Sequence, residues 1–594
     1  MELFMDILNA INGVIWHNLV LYVVLGVGIL FTLWSGFSQY RALTHGTAVI
    51  RGKYDDKNDP GAINHFQALS AALSATVGLG NIAGVAVAVA LGGPGAVFWM
   101  WVVGVLGMAI KTTEVTLSML YRDTTDPNNP HGGPMFVAKK AFSARGLGAL
   151  GSAIGGIFVV TLLISTITGG NMFQSWSVGV ITETYFDVPS IASGIVLAVV
   201  VGLVIIGGIK RIGAVAGRIV PLMCGIYVAA ALVVVLMNIS VVPEMLKLIV
   251  TEAFLPSSAE GAFLGGTAGY ALLWGMKRAL FSSEAGQGSS PIAHSAAKTD
   301  EPVREGIVAG LEPFIDTIVV CTLTALVILS TGAWNRGSET ELSSPFEVVA
   351  VEGTENTWTI QFEHEGVVNQ LPNKTQEARE ISGPWKDRDQ VFVIVEGDEN
   401  SDTGLKYSRA AGEVTVDEDL NVATVEWKEF ETEPGTTPVP AYTGTGVYVE
   451  YPGPALTGHA FDRAIPGLGK YLITLAAWLF AVSTMISWSY YGETGIVYLF
   501  GESQAVSMLY KFIYCVAIVV AAAGFIKTDA QLDSLTALGT GVMLWANIPI
   551  MLIFGSVAMK AYRDYVSRLK SGELDETSHK PASLVDVVEG KDVE

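Results

Sequence analysis

Eleven apolar stretches, each about long enough to cross a bilayer, constrain this chain more than any other feature. A spanning helix needs about 20 mostly apolar residues. Such stretches fall at roughly 14–35, 64–90, 93–120, 150–183, 189–208, 217–240, 263–297, 305–333, 466–500, 505–526 and 533–559. Lipid offers the backbone no hydrogen bonds, so spans of this kind are helices. Charged residues are only 15% of the chain, against about 25% in an ordinary soluble domain. The 65 glycines fit membrane helices, which tolerate them. The first stretch does not read as a signal peptide: Glu2 and Asp6 precede it without Lys or Arg, and no small-residue cleavage site follows.

Basic residues orient the spans, because short loops rich in Lys and Arg stay in the cytoplasm. Arg41, Arg51, Lys53 and Lys57 follow the first span. Arg122, Lys139, Lys140 and Arg145 follow the third. Lys210, Arg211 and Arg218 follow the fifth, Lys298 and Arg304 the seventh, and Lys560, Arg563, Arg568 and Lys570 the eleventh. Odd-numbered spans then end inside, with the N-terminus outside and the C-terminus in the cytoplasm. The expected setting is the inner (plasma) membrane.

The net charge of −21 belongs mostly to one segment. Residues 335–455 hold 24 Asp and Glu against 8 Lys and Arg, a net of −16, which leaves −5 for the rest. Short runs rich in Val, Ile, Phe and Trp recur there, at Phe346–Val351, Thr357–Phe362, Gln390–Val395, Ala423–Phe430 and Gly446–Tyr451, separated by turn residues. The segment reads as a small acidic β-domain inserted outside the membrane. The expected organisation is 1–334 for spans one to eight, 335–455 for the insertion, 456–571 for spans nine to eleven, and 572–594 as a polar cytoplasmic tail. Asp398-Glu399-Asn400-Ser401-Asp402 reads as a solvated acidic turn, because the later ligands of a Ca²⁺ loop are missing. Cys224, Cys321 and Cys515 lie in apolar runs and read as small packing residues.

Two spans are interrupted at mid-depth. In the second, Gly78-Leu79-Gly80-Asn81 sets two glycines and an amide where a continuous helix is expected. The alternative is a close helix contact through Gly80 and Gly84, but a polar side chain at that depth is costly and usually functional. In the seventh, Phe281-Ser282-Ser283-Glu284-Ala285-Gly286-Gln287-Gly288-Ser289-Ser290-Pro291 cannot face lipid. The breaks lie five spans apart. Five is odd, so spans 2–6 and 7–11 would be inverted repeats, with the first span added. Paired broken helices in inverted repeats point to a secondary transporter with a midplane site.

Longer motifs carry a resemblance. Gly78-Leu79-Gly80-Asn81, Gly92-Gly93-Pro94-Gly95-Ala96-Val97-Phe98-Trp99-Met100-Trp101 and Gly132-Gly133-Pro134-Met135 occur in order. Gly170-Asn171-Met172, Glu284-Ala285-Gly286 with Gly288-Ser289, Glu312-Pro313-Phe314-Ile315-Asp316-Thr317 and Trp488-Ser489-Tyr490-Tyr491-Gly492-Glu493 follow. Together they resemble the alanine or glycine:cation symporter family over nearly the whole membrane part, but not over 335–455. The family motif in the seventh span usually reads Ser-Asn-Glu-Ala-Gly, and here Ser283 replaces the Asn. The resemblance implies a LeuT-type fold and Na⁺-coupled uptake of alanine or glycine.

Roles follow residue by residue. Gly78, Leu79 and Gly80 would offer amides to a substrate carboxylate, since glycine permits close approach. Phe281, Ser282 and Ser283 would form the opposite wall. Asn171, Phe173 and Gln174 in the fourth span face either the substrate or a neighbouring helix. Ser483 and Thr484 either bond back to their own helix or, as a LeuT-type fold implies, hold Na⁺ with carbonyls near Ser74 and Val77. Thr76 and Asn81 are candidates for a second Na⁺ position. Trp488 shares a face with Thr484 and would limit substrate size, unless it simply packs in the bundle. Lys277, Arg278, Glu284 and Asp316 read as buried ion pairs, a gate or a proton site. His65, His131 and His294 are scattered without ligand spacing, and no nucleophilic triad or phosphate-binding loop stands out, so an enzyme is not expected. A channel would not need two matching breaks. Proton coupling, or a sensor that binds an amino acid without moving it, remains the alternative. Neither a cofactor beyond the coupling ion nor a nucleic-acid partner is expected, and no pattern sets an oligomeric state.

Overall fold

The computed structural model describes all residues except 1, 17, 57, 344–345, 355, 363–369, 401–404, 418–421, 433–444, 452, 526–528 and 576–594. The expected tail thus lies mostly outside the described residues, as does the end of the acidic run from Asp398.

Among the described residues, eight helices are long and apolar enough to cross a membrane: Ala10–Trp34, Gly95–Tyr121, Gly148–Phe186, Gly208–Met237, Pro302–Ser330, Leu468–Phe500, Gln504–Gly524 and Thr536–Ser571. His65–Thr76 and Leu79–Gly92, bent by 60°, make a ninth if taken as one span. The two other expected spans differ from a continuous crossing helix. The stretch 189–208 holds a helix of 16 residues, Ser190–Ile205. The stretch 263–297 divides into Ala268–Ser283 and the five-residue Ser290–His294, because its serines, glycines and Glu284 end the first helix at mid-course. Large apolar side chains such as Leu203, Leu222, Leu236 and Phe512 are more than half exposed on the outer faces of these helices. A belt of that kind suits lipid contact.

The elements that frame the centre are α1 (His65–Thr76), α2 (Ala83–Gly92), α3 (Gly95–Tyr121), α4 (Gly148–Ile167), α5 (Phe173–Phe186), α6 (Ala268–Ser283), α7 (Ser290–His294), α8 (Pro302–Ala309), α9 (Leu468–Phe500), α10 (Gln504–Val520) and α11 (Asp529–Ser571). α1 begins with a capping box, in which Asn64 Oδ1 accepts from Gln67 N–H at 2.8 Å and Gln67 Oε1 accepts from Asn64 N–H at 3.3 Å. One helical turn of wider pitch, Thr168–Met172, joins α4 to α5, and another, Phe314–Cys321, continues the helix begun by α8. Such turns free carbonyls and often mark functional sites.

The described residues between 340 and 449 include two antiparallel sheets, built from β1 (Thr340–Glu341), β2 (Phe346–Ala350), β3 (Thr357–Phe362), β4 (Gln370–Leu371), β5 (Gln390–Glu396), β6 (Tyr407–Asp417), β7 (Val422–Trp427), β8 (Phe430–Glu431) and β9 (Gly446–Val449). Their orders are β1-β9-β5-β6-β7-β4 and β2-β3-β8. Val391, Val393, Val414, Val425 and Val447 are buried between them. The expected strand Ala423–Phe430 stops at Trp427, and Phe430 pairs with Trp358 in the other sheet. Four elements of this segment had no reading in the sequence: the two-residue strands β1 and β4, the longest strand β6, and a helix at Gln376–Ser382.

Candidate functional site

The first break exists because the chain leaves the helix at Val77 (φ −79°, ψ 91°) and stays extended at Gly78. A single 3₁₀ turn, Leu79–Asn81, then restarts it. A side chain at Gly78 would lie 2.6 Å from the Thr484 hydroxyl, so the backbone needs glycine to come so close to α9. Asn81 closes the break from within: its Oδ1 accepts from Gly78 N–H at 2.8 Å. Of the three amides expected to meet a carboxylate, Gly78's is therefore already engaged, and that cap leaves Leu79 and Gly80 aside. Thr457 Oγ1 donates to the freed Ile82 carbonyl at 3.1 Å.

The second break turns on Glu284 (φ 53°), Gly286 (φ 84°) and Gly288 (φ 80°) before Pro291 opens α7. Side chains satisfy its loose carbonyls, as they must at membrane depth. Gln287 Nε2 donates to Leu280 O at 2.8 Å and Asn547 Nδ2 to Gly286 O at 2.9 Å. Glu284 accepts from Ser289 Oγ at 2.5 Å.

Asp316, wholly buried, joins the two breaks. Asn81 Nδ2 donates to its carboxylate, Ser282 Oγ donates at 3.0 and 2.9 Å, and Thr317 Oγ1 donates at 2.8 Å. Ser282 thus stands behind the wall. The Asn81 amide has its NH₂ on Asp316 and Ser282 and its oxygen on Gly78.

Between the breaks lies a cavity of about 20 Å³, lined by Thr76, Gly78, Gly80, Gln174, Phe281, Glu284, Gln287, Thr484 and Trp488. Gln174 Oε1, Gln287 Oε1, Thr484 Oγ1 and Ser165 Oγ, all on its lining residues, are buried with no hydrogen-bond partner among the described residues. Leaving such groups unmatched costs about 1–3 kcal/mol each, so four such oxygens around one cavity suit a ligand with N–H donors or a cation. Phe281 packs beside Gly80, where a side chain would be 3.2 Å from its ring. Gly170, in the turn before α5, admits Trp488 so closely that a side chain there would be 2.4 Å from the indole.

The expected ion residues are also brought together. Ser74 Oγ lies 2.6 Å from both the carbonyl and the hydroxyl of Ser483, which ties α1 to α9 beside Val77. Thr484 faces the cavity one residue on. Thr76 also lines it, and its hydroxyl makes only long bonds, 3.4 and 3.5 Å, back to Ala72 and Leu73. Among the described residues, no group of three or more His, Cys, Asp or Glu is arranged to hold a metal.

Other expected residues stand elsewhere. Asn171 turns away, its Nδ2 donating to Tyr514 O at 2.8 Å. Phe173 is one ring removed, edge-on to Phe281 at 5.8 Å. Ser283 is buried behind the break, where its Oγ accepts from Ala285 N–H at 3.4 Å. Lys277 and Arg278 line a separate cavity of about 300 Å³ with Asn12, Trp16, Trp274 and Thr540. Phe281 and Thr540 border both cavities, so Phe281 stands between them. Gln287 was missing from the expected wall, although it sits inside the second break.

A model of the sodium:alanine symporter family matches residues 1–360 and 439–580. The sodium/alanine symporter AgcS of Methanococcus maripaludis is 43% identical over 329 residues, 55% of this chain and 71% of that protein. A Bacillus subtilis protein named as a sodium/proton-dependent alanine carrier, YrbD, is 30% identical over 569 residues, 96% of this chain and 93% of its own length. Another, named as a sodium/glutamine symporter, GlnT, is 36% identical over 334 residues, 56% of this chain and 67% of its own length.

Proposed function

The chain belongs to the sodium:alanine symporter family, multi-pass membrane transporters and not enzymes, and from that premise we propose that it couples Na⁺ entry to uptake of alanine or glycine. The observation that carries the substrate reading is the small cavity between the two breaks, lined by Gly78 and Gly80 of the first and by Gln174, Gln287 and Thr484, whose oxygens have no hydrogen-bond partner among the described residues. The 3₁₀ turn and the start of α2 direct the positive end of a helix at a carboxylate. The oxygens answer an ammonium. Phe281 and Trp488, on the cavity wall, would limit the substrate side chain to a hydrogen or a methyl group.

Na⁺ sits, in this reading, between α1 and α9, held by carbonyls near Ser74 and Val77 and by the hydroxyls of Ser483 and Thr484. These are hard, neutral oxygens, which suit a monovalent ion that must also leave. Thr484 borders both the ion and the substrate, so each ligand steadies a wall of the other's site. Thr76 offers a second position. The proposed topology is the eleven-span, LeuT-type inverted repeat in the plasma membrane, with the β-domain outside. Phe281 is then the outer gate, and Lys277 and Arg278 line the vestibule above it.

Proton coupling is the second reading, favoured by the two carboxylates at the breaks, Glu284 and Asp316. Uptake of labelled alanine into proteoliposomes separates the two. A Na⁺ gradient should drive accumulation, and a pH gradient without Na⁺ should not. Excess glycine should compete, while leucine and glutamine should not. Accumulation under the pH gradient alone would reverse the assignment of the ion.

A further inference from the structure

A second cluster, outside the cavity, is built from residues far apart in sequence. His65 at the start of α1 contacts one carboxylate oxygen of Glu305 in α8 through Nδ1. The other oxygen of Glu305 lies 2.5 Å from His294 Nδ1, and His294 Nε2 lies 2.8 Å from Glu312 Oε1. Glu312 Oε2 is 3.3 Å from Lys111 Nζ, which is 3.8 Å from Glu114. Asn547 Nδ2 donates to Glu114 at 2.9 Å, and Ser290 Oγ to Glu312 at 2.8 Å. His65, Lys111, Glu305, Glu312 and His294 are wholly buried, and Glu114 is nearly so.

His294 is the telling member. A neutral imidazole donates through one nitrogen and presents a lone pair at the other. Both of its nitrogens face carboxylate oxygens. A lone pair there would repel, so either the ring is an imidazolium or one of the two glutamates is protonated. Both forms hold one proton more than a neutral ring between two carboxylates. The charge count agrees. Glu114, Glu305 and Glu312 against Lys111 alone would leave a net of two negative charges among buried groups, and the extra proton halves that. Such imbalance is strongly disfavoured away from water.

We propose that this cluster is a proton-binding site centred on His294, and that its proton exchanges with the cytoplasm when the transporter opens inward. The proposal rests on the transport reading and orientation given above. The cluster lies between the cavity floor at Glu284 and the end of the bundle where Arg122 binds the Ser295, Ala297 and Thr299 carbonyls. It pins α7 to both α1 and α8. Without the proton, His294 repels one glutamate and the pin loosens. The groups that face it include the buried carboxylates Glu284, near Lys111 and Glu312, and Asp316, near Lys111, Arg122 just beyond α3, near Glu305, and Tyr491 of α9, near Glu284, Glu312 and Glu114, whose hydroxyl has no hydrogen-bond partner among the described residues. Arg304, next to Glu305, turns instead to the Tyr54 carbonyl at 3.2 Å and the Tyr565 hydroxyl at 3.4 Å. No net proton flux is implied, only a proton bound and released on one side.

Glu312→Gln tests this directly. Its amide can donate to His294 Nε2 while a neutral ring donates to Glu305, so no extra proton is needed. Proteoliposomes of one orientation, with a fixed inward Na⁺ gradient, would be loaded at about pH 6 or about pH 8. Wild-type alanine uptake should rise several-fold at the higher lumen pH, and Glu312→Gln should be flat. Infrared difference spectra of purified wild type between the same pH values, read without transport, should contain an imidazolium or protonated-carboxyl band that the variant lacks. A wild type insensitive to lumen pH, a variant with the wild-type slope, or identical infrared differences would each overturn the proton site. Absence of alanine uptake at every pH would instead count against the substrate reading, and the infrared bands would then decide the proton site. If the variant does not insert, His294→Gln takes its place in both measurements.

Discussion

Thr484 stands where the account is most exposed to a single substitution. Its hydroxyl has no hydrogen-bond partner among the described residues and lies against Gly78. A lost hydrogen bond is worth about 1 kcal/mol, or about fivefold in affinity, and loss of an oxygen ligand to a charged ion should exceed that. Thr484→Ala and Ser483→Ala should therefore raise the Na⁺ concentration for half-maximal uptake well beyond fivefold. Alanine affinity at saturating Na⁺ should change less. Unaltered Na⁺ dependence in both variants, measured by flux titration, would remove them from the ion site. Trp488→Ala should open the cavity wall and admit larger side chains, read as competition by leucine. Loss of alanine uptake with no gain of a larger substrate would make the indole a packing residue. At this scale the sequence was legible where a polar residue interrupts an apolar run, as at Gln174 and Thr484, which line the cavity, whereas Asn81, expected as a ligand, instead caps Gly78 and holds Asp316. It was illegible where the partner is distant. His65 and Glu305 are 240 residues apart, and nothing in their local spacing announces the contact. Asn171 looked like Gln174 in the sequence, but three residues along a helix with a widened turn send it to α10 instead.

The two broken helices behave as elements because Asp316 holds them to each other. Asn81→Ala removes both the Gly78 cap and the Asp316 donor, leaving a buried carboxylate short of a partner. The variant should insert yet lose most transport, and thermal unfolding in detergent should shift downward. Normal uptake would mean that the breaks do not depend on this junction. Gly288→Ala is a sharper probe of the second break. Its φ is 80°, and a side chain there would lie 2.4 Å from Pro134, so the variant should lose about 1–3 kcal/mol of stability. Both breaks were legible because glycine, proline and polar residues gather where lipid-facing helix is otherwise required. β6 was not, since Ala410, Ala411 and Gly412 weaken its strand pattern. Its pairing with both β5 and β7 overrides that weakness.

At the scale of the whole molecule, the inserted domain begins and ends at one place. β1 pairs with β9, Thr340 opposite Val447, so the ends of the insertion meet at the bundle. The family match runs into the expected insertion at both ends, over 335–360 and 439–455, and omits only residues 361–438, so the part foreign to the family is narrower than 335–455. Because the ends of the insertion meet, a short Gly/Ser linker in place of 335–455 should leave alanine uptake within a few-fold of normal in correctly inserted protein. Complete loss would make the domain part of the transport machinery. Arg336, which bonds Val449 O at 2.5 Å and Ala333 O at 3.2 Å, and Arg409, which bonds Ala262 O at 3.1 Å, are among the contacts through which it would act, with the Arg463–Glu377 pair and the stacking of Tyr451 on His459. The bundle's span count was only partly legible, because a length rule does not foresee a helix cut short by Pro189 and Gly207 or divided by a polar centre. The central claim is that one small cavity links Na⁺ to an amino acid, and such linkage is reciprocal in binding free energy. Calorimetric titration of alanine into purified protein across Na⁺ concentrations at fixed ionic strength, with K⁺ as the balancing ion, tests it most directly. Alanine should bind progressively tighter as Na⁺ replaces K⁺; equal affinity in the two ions would contradict the account.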